Sequence, residues 1–61
     1  MTPVKQDSLA RAADLYAEAR KLESEGKYYD ARQAYEESLA LHEDEAVREA
    51  FLRLLATIGP A

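Results

Sequence analysis

The chain has 61 residues and a single histidine, His42, followed at once by Glu43, Asp44 and Glu45. A histidine beside three carboxylates could ligate a metal or pass a proton. Glu36 and Glu37 form a second acidic pair of the kind used in general acid and base chemistry. Geometry argues against both uses. His42 stands where one helix is expected to end and the acids where the next begins, so each complements a helix dipole at its favourable end. Glu36 and Glu37 are sequence neighbours on a helix and point about 100° apart, so they do not face a common substrate. No Gly-rich phosphate loop, nucleophile elbow or paired-histidine motif occurs. No catalytic residue, metal or cofactor is therefore assigned, and a non-enzymatic role is expected.

Binding chemistry is better represented. Leu9, Ala13, Tyr16 and Arg20 recur at helical steps of four, three and four, which places them on one flank of a helix. A small floor at Ala13, an amphipathic ring at Tyr16 and a cation at Arg20 would suit a partner side chain and a carboxylate. Covering of the same flank by a third helix is the competing expectation. Tyr29 sits apart, on the other side of its helix, as a further candidate contact residue.

Three elements must position these groups. No Gly or Pro interrupts residues 4–24, which are rich in Ala, Leu, Glu, Arg and Lys, and this predicts helix 1. Its start is set by Thr2-Pro3, or by Asp7 or Ser8 as an alternative cap. Ala12, Leu15, Ala19 and Leu22 form a second flank beside the first, so the apolar arc is too wide for a single neighbour. Gly26 ends the helix by taking the left-handed conformation. Helix 2 is expected over 28–42, ending at Leu41 or His42, and Tyr28, Ala31, Tyr35 and Ser38 share a face of it. Tyr28 and Tyr35 are assigned to the core, and Ala31 and Ala34 to a close helix approach. Asp44 caps helix 3, expected over 45–58, with Glu49 spaced to pair with Arg53. Its stripe is Val47, Phe51, Leu54, Leu55 and Ile58, anchored by Phe51. Leu52 and Ala56 lie off the stripe, and Gly59-Pro60 is the stop. Short links make the fold all-α: an antiparallel three-helix bundle, or a hairpin with a third helix stacked beside it.

Composition narrows the function classes. One domain fills residues 1–61, and a core this small rarely supplies more than about 3 to 5 kcal/mol. With no cysteine, neither disulfides nor a thiolate metal site adds to it, and a cytoplasmic location is expected. The net charge of −4 repels phosphate backbones, so nucleic acid is not an expected partner. Neither a membrane span nor an export signal is visible. The ending Gly59-Pro60-Ala61 reads as the start of a linker, as in a domain cut from a larger chain.

The series Leu15, Ala19, Gly26, Tyr28, Ala31, Tyr35 resembles the helix-turn-helix signature of a single tetratricopeptide repeat. It is equally similar to the first two helices of a microtubule-interacting and trafficking (MIT) domain. The likeness covers roughly residues 12–41. Glu18 and Glu43 depart from the repeat, which carries leucine and proline there, and no second copy follows. A solenoid needs about three repeats, so helix 3 is expected as a terminal cap or as the third helix of a MIT-like bundle. Either resemblance implies a protein-binding module for a short helical or C-terminal peptide, and in the repeat family the positions matching Tyr16 and its flank face the ligand. The expected function is binding of such a segment in an inter-helix groove through Leu9, Ala13, Tyr16, Arg20 and Tyr29. The alternative is a small self-associating structural or capping subunit that buries Tyr16, Leu52 or Tyr29 against a copy of itself.

Overall fold

A computed structural model describes residues 4–59. The chain forms three α-helices in succession, α1 (Val4–Ser24), α2 (Tyr28–Leu41) and α3 (Glu45–Ile58). The fold is an all-α three-helix bundle. Each boundary has a local cause. At the end of α1, Gly26 takes φ +81°, and the N–H groups of Gly26 and Lys27 donate to the carbonyls of Glu23 and Leu22 at 3.0 and 2.9 Å. That pair of bonds is the Schellman arrangement, in which glycine avoids the penalty a Cβ would bring. Helix α2 starts at Tyr28, and Lys27 at its N-cap position makes no side-chain capping bond. It stops at Leu41, because His42 is extended at φ −157° while its N–H still donates to Ser38. Asp44 does cap α3, accepting from the Ala46 N–H at 2.9 Å, and Gly59 closes it at φ +91°. The helix already runs through Asp7 and Ser8, so neither is its cap; Thr2-Pro3 and Pro60 lie outside the described residues.

Helix α2 is the middle element. It packs against α1 on one side and α3 on the other, whereas α1 and α3 scarcely touch among the described residues. Cross-contacts fix the direction: Ser38 of α2 meets Ala12 of α1, and Tyr35 meets Tyr16, so α1 and α2 are antiparallel. The small residues Ala19, Ala31 and Ala34 are buried at this seam, as close helix approach requires. Tyr35 fills the space between all three helices. Its ring centroid stands 6.1 Å from Tyr16 and 6.2 Å from Phe51, tilted by 48° and 50°, within the range of favourable tilted aromatic pairs.

Two expected core positions differ. Tyr28 is 38% exposed, whereas Tyr35 is 0%; as the first residue of α2, Tyr28 has its own helix on one side only. On α3 the anchor is Leu54, fully buried, with Val47 beside it, and Phe51 is only half-buried. At 100° per residue, Val47 and Leu54 project within about 20° of each other and Phe51 about 40° to one side of Val47, so the stripe is centred away from the ring. Leu52, expected off the stripe, is exposed.

Candidate functional site

The thin contact between α1 and α3 leaves a strip of surface along their shared side, with α2 behind it. At one end is a mostly apolar cleft of about 220 Å³, lined by Leu9, Ala13 and Tyr16 of α1, Ser38 and His42 at the end of α2, and Val47 of α3. Ala12, Asp44 and Ala46 complete it. Ser38 is the buried polar group there, and its Oγ donates to the Ala12 carbonyl at 2.8 Å. A buried hydroxyl satisfied in this way costs little and holds the end of α2 against α1.

One turn further along α1, Arg20 donates to the Tyr16 hydroxyl at 3.2 Å, with its guanidinium carbon 5.9 Å from the ring centroid. The hydrogen bond to Tyr16 raises the Arg20 pKa above its ordinary value, so the charge is fixed. Arg20 faces a second, smaller crevice of about 50 Å³, shared with Glu23 of α1 and with Ala50 and Arg53 of α3. Glu23 accepts a 2.8 Å hydrogen bond from the Tyr35 hydroxyl. Burial, and then that bond to Glu23, push the Tyr35 phenol upward.

Comparison with protein-family models, curated proteins and solved structures found no match to this chain. Its site is therefore read from its own geometry. Of the five residues singled out in the sequence, Leu9, Ala13 and Tyr16 meet in one cleft. Arg20 stands next to it, in the smaller crevice. Tyr29 belongs elsewhere: it is 71% exposed and borders a polar depression with Arg32, Gln33 and Glu36. Sequence reasoning missed the contributions of Ser38, His42, Val47 and Arg53 to the strip. Ser38 carried a signal, since a hydroxyl on an otherwise apolar face needs a buried partner.

Several residues of the acidic runs are engaged within the fold. Asp44 is the α3 cap, and Glu43 is paired with Arg48, whose second guanidinium nitrogen donates to it at 2.8 Å. That hydrogen bond holds the Glu43 carboxyl below its ordinary range. Glu36 is paired with Arg32 at 3.2 Å. Among the described residues no cluster of three or more His, Asp or Glu stands ready for a metal ion, and no helix is long and apolar enough to cross a membrane.

Proposed function

We propose that the chain is a non-catalytic protein-interaction module that receives a short segment of a partner in the strip between α1 and α3. One observation carries the reading: the apolar cleft over Leu9, Ala13, Tyr16 and Val47 is built by three helices and left open. Its volume of about 220 Å³ falls below the roughly 300 to 1,000 Å³ typical of small-molecule sites. One or two partner side chains fill it; a whole metabolite does not. Of the hairpin positions in the tetratricopeptide and MIT resemblance, Ala19, Ala31 and Tyr35 are buried while Tyr28 is exposed, and that resemblance favours a helical or C-terminal peptide as occupant. So small a surface suits micromolar affinity, about −8 kcal/mol.

The test is selection of displayed random peptides on the folded chain, followed by amide-shift mapping of the peptides recovered. Shifts centred on Leu9, Ala13 and Val47, abolished by Ala13→Phe with helicity unchanged, support the groove. Ala13 is exposed, so filling the cleft there leaves the core alone. Peptides that map to Tyr29 and Gln33, or that bind Ala13→Phe unchanged, would sink the proposal.

A further inference from the structure

The crevice beside the cleft carries two guanidinium groups that enter none of the ion pairs among the described residues, although Arg20 also donates to the Tyr16 hydroxyl. The chain carries a net charge of −4, yet Arg20 and Arg53 converge from two helices on one small space that holds a single carboxylate, Glu23. Glu23 accepts a hydrogen bond from the Tyr35 hydroxyl, so the two guanidinium groups share the crevice with one carboxylate and leave one positive charge over. The ion pairs among the described residues are Lys27 with Glu25, Arg32 with Glu36 and Arg48 with Glu43. Arg20 and Arg53 enter none of them, and the Glu49 to Arg53 spacing forms no pair. The space of about 50 Å³ exceeds the 10 to 15 Å³ needed for one water and suits a group of a few atoms. Planar guanidinium groups favour carboxylates, which accept in parallel from the guanidinium fork.

We infer that Arg20 and Arg53 form an anion seat that selects and orients the occupant of the neighbouring cleft: a peptide with an apolar side chain over Ala13 and Val47 and a carboxylate between the two arginines. This rests on the reading of the cleft as a peptide groove and adds a direction to it. The apolar end lies toward the N-terminus of α1 and the acidic end toward its C-terminus. Ala13 and Arg20 are two turns apart, about 10 Å. A helical occupant therefore carries its acid about seven residues from the apolar anchor, and an extended one about three residues from it. Charge complementarity fixes the occupant's class. The strip is apolar at one end and carries a net positive charge at the other, on a chain whose overall charge is −4.

The experiment compares peptides selected from a displayed random library on the wild-type chain and on Arg20→Gln/Arg53→Gln. Both side chains are exposed, and circular dichroism checks that the variant keeps its helices. The expected result is an apolar residue and an acidic residue, or a free C-terminal carboxylate, at one fixed spacing in the wild-type pool. The acidic position is then lost from the variant pool. Recovered peptides should bind the variant about three- to tenfold more weakly, with a difference that shrinks as salt rises. Their Glu→Gln or amidated analogues should bind both chains alike. Apolar anchors without a fixed acid would overturn the anion seat and leave the groove standing. Recovery of no peptide at the cleft would overturn both, and so would a concentration-dependent dimer whose interface maps to this strip.

Discussion

The Tyr35 hydroxyl of α2 donates a 2.8 Å hydrogen bond to Glu23 Oε1 of α1, tying the one fully buried aromatic ring to the rim of the basic crevice. The bond links core to surface, because Tyr35 also separates Tyr16 from Phe51. The folded state raises this phenol above its ordinary value of 10.0. Its stabilising contribution is therefore complete below pH 10 and is lost as the pH climbs from there toward the folded value. Alkaline titration followed by tyrosine absorbance should show one delayed ionisation, absent in Tyr35→Phe. That variant should also lose about 1.5 to 3 kcal/mol with the hydrogen bond to a charged acceptor. A titration with no delayed ionisation would mean that the burial of Tyr35 and its bond to Glu23 do not both persist in solution.

Helix α3 is held chiefly by Leu54. Leu54→Ala should cost about 2 to 5 kcal/mol, comparable with the whole stability of a core this small. Phe51→Ala should cost less than truncation of a fully buried ring, because Phe51 is only half-buried. Urea denaturation of the two variants side by side checks the order, and a larger loss at Phe51 would reverse the assignment.

The seam between α1 and α2 depends on small residues. Ala31 and Ala19 are both fully buried, so Ala31→Leu should overpack the contact at a cost of about 1 to 3 kcal/mol. The readout is the thermal midpoint; an unshifted value would show that the two helices do not approach at Ala31.

The link between α2 and α3 carries an acid-sensitive pair. Arg48 holds Glu43 below its ordinary value of 4.5, so the stabilisation is present at neutral pH and is lost as the pH falls through the lowered folded value. Glu43→Gln should lower the melting temperature slightly at pH 7, by an amount that salt reduces because both partners are exposed. The gap between wild type and variant should close in acid. A gap that persists below pH 3 would place its cause elsewhere.

Capping at Asp44 gives a further check on the same link. Loss of its bond to the Ala46 N–H in Asp44→Ala should cost about 0.5 to 2 kcal/mol. Asp44→Asn should recover most of it, since the amide oxygen still accepts. Hydrogen exchange at the first turn of α3 reports the loss directly.

The helix boundaries were legible in the sequence because their causes are local. Gly26 and Gly59 supply positive φ, Asp44 supplies a cap, and the uninterrupted helix formers of 4–24 need no distant partner. The broad apolar arc on α1 likewise announced a surface that one neighbour does not cover, and Leu9, Ala13 and Tyr16 do meet in an open cleft. Periodicity places a residue on a face but does not say how much of that face a neighbour reaches. That is why Tyr28 and Tyr35, alike in sequence, part company in burial, and why Leu54 replaces Phe51 as the anchor of α3. Only the packing of α3 beside α2 brings Val47 to Ala13, sets Arg53 opposite Arg20 and directs the Ser38 hydroxyl to Ala12. Such neighbours depend on crossing angles fixed by side chains from three helices at once, whereas a cap or a turn answers to the few residues around it.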